Sequence, residues 1–395
     1  MAKNIVFCAD GTWNGPDDAT GQAAGDNDDT TGELTGADLT NVAKLFNKLS
    51  GAPTPDMPNK PKEAEKLYAE GGATVQVAKY LHGVGDSGNT AMKVLGGVFG
   101  VGVIARIVRG YTFISRHYQP GDAIFITGFS RGAYTARALA GMIARAGLLD
   151  RSRYDVNDKE KAYRLGLAAW NRSKGLTVGG NSWFSRLTNR VVDFFETSIG
   201  KLTLKDRDLV PIVPIKTVGV WDTVGSMGVP LYLKDKRMDV FRFTDTVLSD
   251  RVERGFHAMA IDELRADFPV TPWNTRAGID QVWFIGAHAD VGGGYALDES
   301  ALSDIALAWM MNNLAGVGIR FAGEVDATKA SILQAIHTPW TKPPFKLLAK
   351  SQRHPAPSDT FHSSVVWRWK QDASYRPGAL AFLNTQNVDQ IKIAD

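Results

Sequence analysis

The chain is 395 residues long, 44% apolar, 22% charged and 10% aromatic. These proportions suit a soluble globular chain with one large α/β domain carrying insertions, or with two smaller domains. Its 45 Lys and Arg against 42 Asp and Glu leave a formal net charge of +3, too balanced for a concentrated basic face, so no nucleic-acid partner is expected.

In chain order, Met1-Ala2-Lys3-Asn4 lacks the charged, apolar and small-residue sections of a signal peptide, so synthesis in the cytoplasm is expected. Asn4 to Ala9 reads as a buried strand, broken at Asp10-Gly11-Thr12. Cys8, the single cysteine, sits inside that strand as a core thiol and excludes an intrachain disulfide. Residues 14–39 are rich in Gly, Asp and Thr and read as a long solvated loop. Asp26, Asp28 and Asp29 cluster there. A Ca²⁺ site is the lesser alternative, because Ca²⁺ needs six or more converging oxygens. No other metal or cofactor is expected. Thr40 or Asn41 caps a helix through Leu49. Residues 52–66, rich in Pro and Lys, should be exposed, and Thr74 to Tyr80 forms a second strand. A helix follows over 91–117. Its most apolar part, Val94 to Val108, contains four glycines and an arginine, and is too short and interrupted to span a bilayer.

After the turn Gln119-Pro120-Gly121-Asp122, a strand covers Ala123 to Thr127 and a helix Arg131 to Ala146. Residues 150–210 mix cationic and aromatic side chains, with Trp183, Phe184, Phe194 and Phe195 around a basic segment, and read as a cap or lid. A strand over Ile212 to Val220 leads into Trp221-Asp222, Phe256 to Leu264 reads as helical, and a strand over Gln281 to Gly286 leads into Ala287-His288. A helix runs from Ser300 to Asn313. Alternating strands and helices predict a mostly parallel sheet covered on both faces. The expected division is a core in two parts, 1–149 and 211–320, with a cap at 150–210 and a C-terminal extension, 321–395, packed on the core.

A serine hydroxyl is a poor nucleophile until a base takes its proton. Gly128-Phe129-Ser130-Arg131-Gly132 follows an apolar strand and opens a helix of small residues. That is the context of a nucleophile elbow, in which Gly128 and Gly132 let the chain turn sharply and lift Ser130 above the sheet edge. The partners of such a serine follow in the order acid, then histidine, at the carboxyl ends of later strands. Asp222 and His288 meet both conditions. His288 would deprotonate Ser130, and Asp222 would fix the imidazole tautomer. His82 and His117 precede the elbow, His257 lies in the expected helix, and His337 and His354 lie in irregular segments. His362 is the main rival, although no clear strand ends before it. Asp290 is too close to His288 in sequence to support it from a separate strand and is read as loop-holding; Asp262 falls in the expected helix. The oxyanion would be held by main-chain N–H groups of Arg131 and of Gly11 or Thr12. Gly292-Gly293-Gly294 lacks the spacing and lysine of a P-loop and reads as a close-packed turn.

The segments Phe7-Cys8-Ala9-Asp10-Gly11-Thr12-Trp13-Asn14, Gly128 to Tyr134, Gly219 to Gly225 and Trp283 to Tyr295 together resemble the DUF2235 family. That family includes the catalytic domain of Tle1-type lipase effectors of the bacterial type VI secretion system. His257 to Glu263 and Arg265 also fit its pattern, and the resemblance runs from residue 3 to about 295. It implies an α/β-hydrolase fold, a triad on Ser130, Asp222 and His288, and cleavage of glycerophospholipid esters. It implies as partners a lipid or membrane surface, and the secretion machinery or an immunity protein, with delivery to the periplasm of a target cell. A soluble esterase acting on small acyl esters would share every catalytic residue. A non-catalytic interaction protein could keep the fold, and the intact Ser130, Asp222 and His288 argue against it.

Overall fold

A computed structural model describes residues 2–11, 34, 38–54, 63–83, 98–155, 157–175, 204–224, 246–325, 327–343, 345–347 and 349–395. Among the described residues the frame is a 10-stranded sheet. Strand β1 (Asn4–Ala9) lies inside it, parallel to β4 (Ala73–Leu81) on one side and to β5 (Ala123–Phe129) on the other. Beyond β5 come β8 (Ile215–Trp221), β9 (Val252–Ala260), β10 (Ile279–Phe284), β11 (Thr360–His362) and β12 (Lys392–Ala394), each parallel to its neighbour. Past β4, β3 (Glu63–Glu70) and β2 (Ala52–Pro53) close the other edge antiparallel.

The continuous apolar run of β1 follows from burial on both faces. Ile5 and Phe7 join the core on one side, and Val6 and Cys8 join the core on the other. The first core is covered by α2 (Val98–His117), α3 (Arg131–Ala146) and α4 (Lys159–Gly175). The second is covered by α1 (Asn41–Lys48), α6 (Ala301–Gly316) and α7 (Ser363–Gln371); the short α5 (His288–Gly292) lies between them in chain order. Thr40 caps α1, its side chain accepting from Ala43 N–H at 3.2 Å. Among the described residues no helix is long and apolar enough to cross a membrane.

The expectation of an exposed segment over 52–66 fails at Glu63 to Lys66, which belong to β3. Glu, Ala, Lys and Leu favour a helix there, but pairing with β4 decides the outcome. Glu65 and Lys79 are direct cross-strand partners with an ion pair at 2.9 Å. Buried Lys66 donates to the carbonyl of Asn47 at 2.8 Å and of Phe46 at 3.2 Å, at the C-terminal end of α1. An ammonium there complements the helix dipole and satisfies carbonyls that the helix leaves open.

The helix expected over Phe256 to Leu264 is also corrected. Val252–Ala260 is a strand held between β8 and β10. Its Ala and Met residues carry a helical preference, and the sheet ladder on both sides overrides it. His257 is therefore a buried strand residue, and Asp262 follows the carboxyl end of a strand rather than sitting in a helix. A short strand does end at His362, where none was evident.

In the expected cap, α4 packs on the core. Leu165, Ala169 and Trp170 join the cluster of α2 and α3, and a Cβ at Gly166 would stand 2.7 Å from Val108 Cγ1. Strands β6 (Leu148–Leu149) and β7 (Leu209–Val210) pair antiparallel at its base. Trp183, Phe184, Phe194 and Phe195 lie outside the described residues.

Candidate active site

β5 and α3 meet at Ser130, the N-cap of the helix, with φ 56° and ψ −120°. A non-glycine residue in that region is strained and persists only where its surroundings fix it. Here they do: Ser130 N–H donates to Trp221 O at 3.1 Å. A Cβ at Gly128 would stand 2.4 Å from Gly132 O, and one at Gly132 would stand 2.1 Å from Ala9 O. Only glycine allows main chain to approach this closely. Arg131 is the first residue of α3. Its buried guanidinium is lowered to about 9, by burial first and by Arg106 second.

Asp222, one residue beyond β8, has φ 32°, and its N–H donates to Ala258 O at 2.7 Å. His288 opens α5, four residues beyond β10. The two meet: His288 Nδ1–H donates to Asp222 Oδ2 at 2.6 Å, with both side chains buried. The Asp222 carboxylate also accepts from Ala260 N–H at 3.0 Å and from the guanidinium of Arg353 at 3.2 and 3.0 Å. Burial alone would raise this carboxyl. Arg353, the hydrogen bond and charge of His288, and the Ala260 N–H outweigh it and hold the group well below the usual carboxylate range. Burial lowers His288, and Asp222 opposes that in part.

Three carboxylates anchor the segment that carries His288. Glu263 accepts from His288 N–H at 3.2 Å and is held by Arg265 at 2.7 Å. Asp262 accepts from Gly286 N–H at 2.7 Å and from the Tyr375 hydroxyl at 3.1 Å, and burial, followed by the charge of Asp290, pushes it up to about 6. Asp290 accepts from Ala287 N–H at 2.9 Å and binds His337 Nδ1 at 2.6 Å. The imidazole of His288 lies between aromatic rings, with Phe129 at 4.6 Å and Phe268 edge-on at 5.1 Å between centroids.

A carboxylate acceptor at Nδ1 places the ring proton there and leaves the Nε2 lone pair to take a proton from a hydroxyl. His362 has a different place: its Nδ1 meets Ser364 at the start of α7, its ring stacks on Phe284 at 4.7 Å, and burial lowers it to about 4. His257 Nε2 accepts from Thr223 N–H at 3.1 Å. A Cβ at Gly11 would stand 3.4 Å from Ser130 Cβ, so its main chain borders the serine, while its N–H donates to Asp10 Oδ1 at 2.6 Å. Asp10 is itself buried against Thr40 and Tyr80. Thr12, Asp26, Asp28 and Asp29 lie outside the described residues. Among the described residues, no cluster of His, Cys, Asp and Glu is arranged to hold a metal ion.

Arg353 carries no signal in the sequence. It stands in Ser351-Gln352-Arg353-His354-Pro355, where nothing in spacing or composition distinguishes it from a surface arginine. Neither the place of Phe268 beside His288 nor the part played by Glu263 shows in the sequence pattern. The acids Asp262 and Glu263 would have stood out had Val252–Ala260 been read as a strand, because side chains just past a strand end collect at the carboxyl edge of an α/β sheet.

The fold is that of an α/β hydrolase, with an elbow serine after β5 and a hydrogen-bonded acid and histidine beyond later strands. The chain belongs to the family described as T6SS, Phospholipase effector Tle1-like, catalytic domain, whose model matches residues 3–313. A Saccharomyces cerevisiae relative, Uncharacterized protein YEL023C, is 26% identical over 281 residues, covering 67% of this chain and 32% of its own length. The chain therefore spans about a third of that relative. An uncharacterized protein from Pseudomonas aeruginosa, solved by crystallography, is similar at 18% identity with a TM-score of 0.41, over 81% of this chain and 46% of the other. A Tle1 effector solved bound to the VgrG spike of the type 6 secretion system is similar at 18% identity with a TM-score of 0.33, over 75% and 51%.

Proposed function

We propose that this chain is a serine hydrolase that cleaves carboxylic esters of glycerophospholipids, with Ser130 as nucleophile, His288 as general base and Asp222 as the orienting acid. The observation that carries the chemistry is the 2.6 Å hydrogen bond from His288 to Asp222, at the sheet edge where Ser130 occupies a strained elbow. Ser130 Oγ attacks the acyl carbonyl as its proton passes to His288 Nε2. The tetrahedral intermediate collapses, the C–O bond to the lysophospholipid breaks, and His288 returns the proton to that leaving alkoxide. Water then enters, deprotonated by His288, and releases the fatty acid with Ser130 restored. The main chain at Arg131, together with Gly11 or Thr12, is the proposed oxyanion site. Gly11 would turn its N–H from Asp10 to the substrate oxygen to take part.

The lipid substrate rests on membership of a phospholipase effector family. The same membership underlies the proposal that the protein acts in a target cell after delivery by type VI machinery, with a secretion component and an immunity protein as partners. The test pairs a fluorophosphonate probe with lipid mass spectrometry. Ser130 should carry the probe, and the folded Ser130→Ala protein should not. Vesicles of phosphatidylethanolamine and phosphatidylglycerol should yield lysophospholipid and free fatty acid with the wild type alone. An unlabelled, folded wild type would refute the serine mechanism. Hydrolysis of a short soluble ester without attack on vesicles would replace the lipid substrate with a small one.

A further inference from the structure

The family match ends at residue 313, yet the carboxylate of Asp222 is gripped by a residue well beyond it. Arg353 presents two guanidinium nitrogens to the two oxygens of Asp222, at 3.2 and 3.0 Å, and donates to Phe268 O at 2.7 Å. Its side chain is 5% exposed. The segment bearing it is tied to the chain after β9: Ala266 N–H donates to Ala349 O at 3.0 Å and Ser351 N–H to Leu264 O at 2.8 Å. Phe345, from the same C-terminal region, packs edge-on to Phe268 at 5.9 Å, and the Arg265 guanidinium lies over Phe268 at 3.6 Å and over Phe345 at 4.6 Å.

We infer that Arg353 is a positioning residue of this active site, supplied by the C-terminal region, which locks Asp222 in place and weakens the pull of that carboxylate on the His288 proton. The inference rests on the catalytic reading of Ser130, His288 and Asp222. A planar fork on a carboxylate fixes its orientation more tightly than a single donor does. The charge has a second effect. In an isolated Asp–His pair, the carboxylate stabilises the imidazolium formed when the serine proton is taken up. With Arg353 on the same carboxylate, that attraction is partly cancelled, so His288 stays neutral, and able to act as a base, to lower pH. Among the described residues, the other charged and titratable groups facing the pair are Glu263 and Arg265 from the segment after β9, His257 on β9, and Arg137 of α3 beyond His257. Glu263 and Arg265 pair with each other, which leaves Arg353 as the cation bound directly to Asp222.

The experiment is the pH profile of kcat/KM on a short soluble ester, for the full chain and for two variants whose folding is checked by melting. Arg353→Gln removes the charge. Its acidic limb should move to higher pH by about one unit or more, because the dyad binds its first proton more readily. Arg353→Lys keeps a charge but cannot fork across both oxygens. Its limb should move less, while kcat on the plateau falls about tenfold with KM little changed, since the residue does not touch substrate. Either folded variant with both the wild-type limb and the wild-type plateau overturns the inference. Fluorophosphonate labelling separates this from failure of the underlying reading. Labelling of Ser130 with unmoved profiles sinks the role of Arg353 alone, whereas absent labelling of the wild type sinks the catalytic assignment.

Discussion

A Cβ on Gly292 would stand 1.9 Å from Phe129 Cε2. Phe129 is 1% exposed, precedes Ser130, and lies against the imidazole of His288 at 4.6 Å. The ring therefore cannot yield to an added methyl without pushing on both proposed reacting groups. Gly292→Ala should cost about 1–3 kcal/mol of stability, the usual penalty of overpacking, and should lower kcat at least tenfold in the fraction that folds, since small misplacements of reacting groups are expensive. Chemical unfolding and active-site titration together check this. Wild-type turnover per titrated site would refute the coupling.

The three proposed catalytic residues should behave as one unit. Ser130→Ala and His288→Ala should each lower kcat by about a thousandfold or more, and the double variant should lose little beyond either single one. Asp222→Asn should be severe but milder than His288→Ala, although Arg353 would then lack its carboxylate and the protein should also melt earlier. A folded His288→Ala enzyme near wild-type turnover would remove His288 from the mechanism.

The places of Ser130, Asp222 and His288 beyond strand ends are legible because each follows a strand whose apolar run shows in the sequence. β1, β5 and β10 announce themselves through Ile, Val and Phe. β9 did not, since Phe256-His257-Ala258-Met259-Ala260 holds no β-branched residue and its strand state comes from neighbours on both sides. A helix there places Asp262 and Glu263 away from the sheet edge, where with Asp290 they hold the His288 segment. β3 was masked in a similar way by Glu, Lys and Ala. Arg353 was beyond reach for another reason: its partner is 131 residues away, and only tertiary structure brings them together.

His337 ties residues far apart in the chain through charge. Its Nδ1 meets Asp290 at 2.6 Å, its Nε2 lies 3.5 Å from Glu299, and its ring stacks on Tyr295 at 3.6 Å. The hydrogen bond to Asp290 is the largest effect, and with both carboxylates it raises His337 above its ordinary value of 6.5. The folded state thus holds this proton more tightly than the unfolded chain. The resulting stability is fully present below the unfolded value and is lost as pH rises through the folded one. Comparing unfolding free energies of the wild type and His337→Gln between pH 5.5 and 8.5 should show the largest difference at the acidic end, shrinking as pH increases. A difference that stays constant with pH would assign His337 a packing role only.

His257 should act in the opposite direction. It lies on β9 with 0% exposure, and its Nε2 accepts the N–H of Thr223, the residue after Asp222. Burial is the main cause, followed by the charge of Arg137, that lowers it to about 3. A proton on Nε2 would turn the acceptor into a donor facing another donor, in a site without water contact. The unfolded chain takes up this proton near the ordinary histidine value while the folded chain refuses it. Stability from the neutral imidazole is therefore present above the unfolded value and falls as pH drops toward the folded one, at up to about 1.4 kcal/mol per pH unit for one such group. Glutamine can keep an acceptor near the Nε2 position and cannot titrate. His257→Gln should be somewhat less stable than the wild type at pH 8, through imperfect packing beside Trp273, whose ring lies 5.4 Å away. Between pH 6.5 and 4 its stability should fall less steeply, so the two curves converge. Thr223 adjoins Asp222, so the same protonation should displace the proposed catalytic acid, and wild-type activity in this range should fall faster than the folded fraction does. Parallel stability curves for the two proteins from pH 8 to pH 4 would show that His257 is not the group whose protonation unfolds the site.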